Sequence, residues 1–118
     1  MKLFDSELKL MELIWTDPDC TAKALSLAAA DRIGWNKNTT YTVLKKLVEK
    51  GAVERVEPGF RCRPLLSRDQ VAEEETAGLI DRLFDGSRQA FFAAFLQNER
   101  LSPAELEALR TMIDRYEE

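Results

Sequence analysis

The most informative absence in this sequence of 118 residues is histidine, which does not occur at all. Without histidine there is no Ser-His-Asp triad, no histidine acting as a general acid or base, and little chance of a common zinc site. No other catalytic set of residues is evident. We therefore predict that the chain is not an enzyme and that it needs no metal and no cofactor.

Cysteine is nearly as scarce, since Cys20 and Cys62 are its only two representatives. Their spacing matches no metal-ligand pattern. Two scattered thiols in a reducing compartment are usually small core residues. A redox role is the less favoured interpretation, because a reactive thiol needs an exposed, electropositive setting.

Long apolar segments are also missing. No run approaches the roughly 18–20 residues that a membrane span requires, and the N-terminal stretch MKLFDSELKL lacks the apolar region of a secretory signal. We therefore expect a cytoplasmic protein without membrane insertion.

Charge is present in both signs but is unevenly distributed. Residues 1–66 carry 11 Lys and Arg against 9 Asp and Glu, a net charge of +2, whereas residues 67–118 carry 6 against 12, a net charge of −6. Within residues 32–63 the balance is 8 against 3, or +5. A basic segment joined to an acidic tail is typical of a DNA-binding domain with an assembly domain, although charge alone equally allows a merely solvated surface.

Helix start and stop signals divide the first half of the chain into three helices. Asp5, Thr21 and Asn36 are good N-caps, and the helices should end before Asp17-Pro18, at Gly34 and at Gly51. The third helix has an apolar stripe on one side and a polar, basic face on the other.

Two short strands should follow, Ala52 to Val56 and Phe60 to Leu66, joined by the turn residues 57–59. Because Pro64 has no N–H to donate, we expect the second run to be an edge strand. Three short helices followed by a hairpin predict a winged helix-turn-helix headpiece over residues 1–67.

The remaining residues, 68–118, have a helical pattern with capping-box signals at Ser67 and Ser102. The fold class is therefore mainly α with a small β-hairpin wing, ending in a helical dimerisation tail. Apolar and aromatic residues of this tail form either an intrachain core or, as we prefer, a dimer interface; a ligand pocket is the least favoured interpretation. The interface residues predicted are Leu79, Leu83, Phe91, Phe92, Phe95, Leu106, Leu109 and Ile113.

The outer face of the third helix carries the side chains expected to meet DNA. An α-helix fits the major groove, where Asn pairs with adenine, Thr contacts bases or the thymine methyl, and Lys or Arg contact phosphates. We predict that residues of this helix face the operator, with Lys46 and the two arginines of the second strand on phosphates. The complete set is Lys37, Asn38, Thr39, Tyr41, Thr42, Lys45, Lys46, Arg61 and Arg63.

Over essentially its whole length the sequence resembles the penicillinase-repressor family of winged-helix transcriptional regulators (BlaI/MecI/CopY type). The residues that carry the resemblance are 8–15 (LKLMELIW), 35–44 (WNKNTTYTVL), 45–51 (KKLVEKG) and 64–67 (PLLS). The resemblance implies a winged-helix homodimer on palindromic operators of antibiotic-resistance or related stress genes.

The resemblance also implies release from DNA when a membrane-bound sensor metalloprotease system triggers cleavage in the tail. The family's scissile bond, between an Asn and a Phe, falls by position near Ala94-Phe95. The Phe is retained and the Asn is not.

We therefore expect a homodimeric transcriptional repressor that binds double-stranded operator DNA. A ligand-responsive winged-helix regulator and a protein-interaction adaptor on the same fold are the alternatives.

Overall fold

The computed structural model describes residues 1–116 and divides the chain into two compact units, Met1–Glu75 and the residues from Thr76 onward. Each unit is described by itself below. The helices of the first unit are α1 (Asp5–Thr16), α2 (Ala22–Arg32) and α3 (Lys37–Glu49). Helix α4 (Arg68–Phe84) begins in this unit and continues into the second.

The three headpiece helices begin and end close to the predicted signals. Thr21 and Asn36 cap α2 and α3, each through a side-chain oxygen that accepts a backbone N–H. Asp5 is the first helical residue rather than the N-cap, because Phe4 before it has the extended backbone, and its N–H donates to the Glu7 carboxylate at 2.7 Å. Gly34 ends the second helix with φ of +84°.

The predicted two-stranded hairpin is present, and a third strand extends it to a three-stranded antiparallel sheet. Strands β2 (Val53–Val56) and β3 (Arg61–Pro64) form the wing, and β1 (Cys20–Thr21) pairs with the other side of β3, so the order is β1-β3-β2. The sequence prediction missed β1 because two residues leave no periodic pattern.

The predicted edge position of the second strand is wrong, since β3 is central. Leu65 donates its N–H to Ala52 on the β2 side, so the N–H missing at Pro64 would point towards β1. Strand β1 pairs only with Arg61 and Cys62 of β3 and does not extend opposite Pro64. The proline therefore interrupts no hydrogen bond of the sheet.

The core of the first unit lies between its helices and the sheet. All three headpiece helices contribute buried side chains, and α4 adds Val71 from its first turn. At the start of α4, Arg68 pairs with Glu12 at 2.5 Å and the Trp15 indole N–H donates to the Leu66 carbonyl at 2.8 Å. The largest fully buried apolar side chains are Leu10, Met11, Ile14, Leu25, Leu44, Leu47, Val53 and Cys62.

The second unit contains the rest of α4, then α5 (Arg88–Asn98) and α6 (Pro103–Asp114). Ser87 and Ser102 cap α5 and α6, and Ser102 forms the predicted capping box with Glu105. Neither α5 nor α6 has a buried residue among the residues that the structure describes. The prediction of a mainly α fold with a small antiparallel wing and a helical tail is confirmed.

Within residues 1–116, no helix combines the length and the apolar character needed to cross a membrane.

Candidate nucleic-acid interface

Helix α3 presents one buried face and one exposed face. Thr40, Val43, Leu44 and Leu47 are buried against the core, which fixes the rotation of the helix about its axis. The opposite face therefore has to point outward. It exposes Lys37, Asn38, Thr39, Thr42, Lys45 and Lys46, whereas Tyr41 is half-buried.

The first turns of this exposed face offer uncommitted polar groups. Within residues 1–116 the Asn38 side-chain amide has no hydrogen-bond partner, so both its donor and its acceptor are available. The Thr42 hydroxyl donates to the Asn38 carbonyl at 2.8 Å. In that arrangement the Thr42 oxygen remains available only as an acceptor, beside its methyl group.

The exposed face of α3 also carries three lysine cations. Lys37, Lys45 and Lys46 form no ion pair with any residue in 1–116. The Lys37 ammonium lies 5.8 Å from the centroid of the Tyr41 ring, a cation–π contact that leaves the positive charge uncompensated. Unpaired lysines beside a polar helix face are suited to bind phosphates.

The two arginines of β3 differ from each other. Arg63 is exposed, with its Nε 3.4 Å from Asp19 and one terminal nitrogen 3.9 Å from Glu54. Arg61 is half-buried, and its Nε is buried without a hydrogen-bond partner among the described residues. Because exposed ion pairs contribute little, phosphates can replace the acidic partners of Arg63.

The sequence analysis missed a contact between the wing and α3. The Tyr41 and Phe60 rings meet edge to face at 6.3 Å between centroids, and the Arg55 guanidinium lies 3.9 Å from the Phe60 centroid. Arg55 also pairs with Glu57 at 2.5 Å. Hydrogen bonds from Arg55 and from the Phe60 N–H lower the pKa of the Glu57 carboxyl. Because this contact joins two separate elements, spacing along the chain gave no signal for it.

An ion pair with a buried carboxylate lies at the C-terminal end of α3. Lys50 lies 2.7 Å from Glu7, whose side chain is 1% exposed, and also donates to the Lys2 carbonyl. Burial alone would raise the pKa of Glu7, but hydrogen bonds from Lys50 and the Phe4 N–H outweigh it and the pKa is lowered. Glu7 is therefore ionised and fastens α1 to the end of α3.

The apolar residues predicted to form a dimer interface lie mostly at the surface of the second unit; we call this set the tail surface. Leu83 is 69% exposed, Phe92 58% and Ile113 73%, and Phe95 and Leu106 are also exposed. Leu79, Phe91 and Leu109 are half-buried. The Phe91 ring contacts those of Phe84, Phe92 and Phe95 at 5.3–6.4 Å, so a small intrachain aromatic cluster supports the exposed rings.

The position predicted for cleavage lies inside a helix. The Ala94-Phe95 bond is in the middle of α5, and the Ala94 carbonyl accepts a hydrogen bond from the Asn98 side chain at 2.8 Å. A peptide bond in this setting becomes accessible to a protease when the helix unwinds locally.

Three helices, a small antiparallel wing and an exposed polar and cationic face on the third helix define a winged-helix protein of the DNA-binding type. The chain belongs to the penicillinase repressor family, whose model matches residues 3–115. Proteins of this family are DNA-binding regulators of transcription and not enzymes, which confirms both predictions.

Individual relatives resemble the chain over nearly its full length. A penicillinase repressor of Bacillus licheniformis is 23% identical over 117 residues, which span 98% of this chain and 91% of that protein. The methicillin resistance regulatory protein MecI of Staphylococcus aureus (strain N315) is 21% identical over 116 residues, spanning 97% of this chain and 94% of that protein. MecI of Mammaliicoccus sciuri matches with the same figures.

Proposed function

We propose that the chain is a homodimeric transcriptional repressor that binds palindromic operator DNA in the cytoplasm and is released by proteolysis of its tail. The observation that carries the proposal is the outer face of α3, with its free Asn38 amide and unpaired lysines. The names of the relatives, which refer to penicillinase and to methicillin resistance, favour resistance-type or related stress genes as targets.

In this proposal α3 enters the major groove. Asn38 forms a bidentate contact with adenine, and the Thr42 oxygen accepts from a base amino group or its methyl group touches a thymine. Lys37, Thr39, Tyr41 and Lys45 complete the face that meets the operator, and Lys46 binds a phosphate. The wing supplies the remaining phosphate contacts through Arg61 and Arg63.

Dimerisation in this proposal uses the tail surface. Exposed aromatic side chains that cluster, as Phe92 and Phe95 do around Phe91, are typical of a partner surface. A twofold dimer would present two α3 helices to two half-sites about one helical turn apart, or a small multiple of it. A second copy would also cover the rings of Phe92 and Phe95.

Release in this proposal follows cleavage near Ala94-Phe95 by a membrane sensor metalloprotease system. The cut would separate Phe95 and α6 from the other rings of the aromatic cluster and so divide the tail surface. Two linked headpieces gain ~10²-fold in DNA affinity from their effective concentration. A chain ending at Ala94 should therefore lose about that factor in operator affinity relative to the full chain, as gel shifts would show.

Two matched substitutions test the DNA interface. Asn38→Ala should weaken the cognate site by about 1–3 kcal/mol and leave random DNA nearly unaffected, because it removes a base contact. Arg61→Ala should weaken both DNAs equally and flatten the dependence of affinity on salt. If both variants lost only affinity for random DNA, α3 would not read the operator.

Footprinting of the unmodified protein is a separate test. If it found no protected inverted repeat at any salt concentration, the protein-interaction adaptor would be the better interpretation.

A charge placed on the tail surface tests the dimer. Phe92→Asp would bury an unpaired carboxylate in an apolar interface and should give a folded monomer with greatly reduced operator affinity. Gln97→Asp, at an exposed polar position of the same helix, is the control and should stay dimeric. Analytical ultracentrifugation beside gel shifts decides between them, and a Phe92→Asp variant that remained dimeric would refute the assigned interface.

A further inference from the structure

The two cysteines of the chain lie opposite each other although 41 residues separate them in sequence. Cys20 in β1 is the register partner of Cys62 in β3, and both side chains are buried. Residues directly opposite in an antiparallel pair project to the same face of the sheet, with Cα atoms about 4.5–5.5 Å apart. A disulfide spans about 4.4–6.8 Å between Cα atoms, so this pair can be bridged without moving the strands.

A cavity gives small molecules access to one of the two thiols. It has a volume of about 120 Å³ and lies between α1 and α2, where Cys20 contributes to its wall together with Leu13, Asp17 and Arg32. A single water molecule needs only about 10–15 Å³ of such a cavity. Hydrogen peroxide, which is little larger than water, therefore fits beside Cys20.

The two thiols are chemically unequal. The neighbouring Cys62 thiol lowers the pKa of Cys20, against the effects of burial and of the nearby carboxylate of Asp17. The Cys20 side chain and burial raise the pKa of Cys62. Cys20 is thus the thiol that ionises first, and it is also the one at the cavity.

We propose that Cys20 and Cys62 are a redox pair that hydroperoxides oxidise to an intramolecular disulfide. The Cys20 thiolate attacks the terminal peroxide oxygen, the O–O bond breaks, and the leaving oxygen takes up a proton as an alcohol, or as water from hydrogen peroxide. Cys20 is then a sulfenic acid. Cys62 attacks its sulfur, the S–S bond forms as the S–O bond breaks, and water leaves with the Cys62 proton.

The bridge would connect the start of α2 to the wing, which carries two arginines of the candidate DNA interface. Cys20 precedes Thr21, the N-cap of α2, and Cys62 lies between Arg61 and Arg63 on the wing.

Two thiols are oxidised and one peroxide is reduced, and a dithiol reductant reverses the change by thiol–disulfide exchange. The inference rests on the sheet register and the cavity, so it is independent of the proposed operator and dimer.

The experiment treats the full-length protein with hydrogen peroxide, blocks the remaining thiols by alkylation and maps the cysteine peptides by mass spectrometry. We expect one Cys20–Cys62 bridged peptide pair, restored to two alkylated peptides by dithiothreitol. Hydrogen peroxide also oxidises methionine to its sulfoxide, and the peptide map distinguishes that modification from the disulfide. Since the chain has no other cysteine, every intramolecular disulfide has to be this one.

Two single variants test the order of the steps, after circular dichroism has shown that they are folded. Cys62→Ser should leave Cys20 as a sulfenic acid that dimedone traps. Cys20→Ser should slow peroxide-dependent loss of the Cys62 thiol at least ~10-fold relative to the wild type. Cross-linking only between chains, independent overoxidation of the two thiols, or an equal rate of Cys62 loss in Cys20→Ser would each overturn the proposal. The wild-type peptide map decides the disulfide even if a variant does not fold.

Discussion

The two units of the molecule bury their apolar side chains to very different extents. In the headpiece, Leu44 is 1% exposed and the other large core residues are similarly enclosed. In the tail, Ile113 is 73% exposed, and α5 and α6 have no buried residue within the described part of the chain. Both units are helical, so helix formation alone does not separate them.

The difference shows where each unit obtains its stability. A closed core stabilises the headpiece through contacts inside one chain. Short helices with exposed apolar faces are marginal alone, because most helix stability in proteins comes from packing. The comparison therefore favours a tail whose stability depends on a second copy, and the predictions below test it from the largest expected effect to the smallest.

The largest effect should come from removing apolar volume in the headpiece. Leu44→Ala should lower the free energy of unfolding by about 2–5 kcal/mol, because it leaves a cavity in the core. The corresponding substitution in the tail is Ile113→Ala. It should change the free energy of unfolding of the dilute monomer by less than ~0.5 kcal/mol but weaken dimerisation. Denaturant titrations at two protein concentrations, with sedimentation, measure both quantities. Equal destabilisation of the dilute protein by the two variants would abolish the contrast between the units.

A second, smaller effect concerns the two ion pairs of α1. Glu7→Gln should cost about 1–3 kcal/mol, because it removes the buried negative charge that faces Lys50 and weakens their hydrogen bond. Glu12→Gln breaks the exposed pair with Arg68 and should cost about 0–1 kcal/mol. Chemical denaturation at neutral pH compares them, and a Glu12→Gln effect as large as that of Glu7→Gln would show that burial does not determine the contribution.

The Glu7 contribution should also depend on pH. Its pKa is lower in the folded chain than in the unfolded chain, where a glutamate titrates near ~4.3. The stabilisation is therefore fully present above that value and is lost as the pH falls through the lowered pKa. The difference in stability between the wild type and Glu7→Gln should shrink on acidification below about pH 4.3; a constant difference would contradict the assigned ionisation.

The smallest effect should distinguish the helix caps of the two units. Ser102→Ala and Asn36→Ala each remove a side-chain acceptor worth about 0.5–2 kcal/mol. In α6 the loss should open the helix locally, since no buried residue holds it, whereas in α3 four buried residues should keep the helix closed. Amide hydrogen exchange should then report faster exchange confined to α6 in Ser102→Ala and a small global change in Asn36→Ala. Unchanged exchange in α6 would mean that packing already protects it.

Local signals in the sequence were sufficient to predict most of the fold. Caps at Thr21 and Asn36, the turn after Glu57 and the stripe on α3 each depend on neighbouring residues, and the structure has them nearly in place. The features that were missed depend on contacts between distant segments. Strand β1 exists only because β3 pairs with it, and that pairing also overturned the edge position predicted from Pro64.

The candidate site was predictable to a similar degree. The exposed face of α3 follows from helical periodicity, so its polar residues were identified from sequence. The ion pairs of Arg63 with Asp19 and Glu54, the Phe60 contact with Tyr41, and the opposition of the two cysteines all join separate elements. Spacing along a single chain contains no signal for them.

The contact between Phe60 and Tyr41 has a consequence for how operator preference would evolve in this family. Phe60 lies between the Arg55 guanidinium and Tyr41 of α3, so its size determines how the wing packs against α3. If α3 reads the operator as proposed, a smaller residue at this position would alter the approach of both elements to DNA without replacing any group that touches a base. Two relatives with identical base-contacting side chains would then prefer different operators. The cause would be a different orientation of α3 and the wing on DNA.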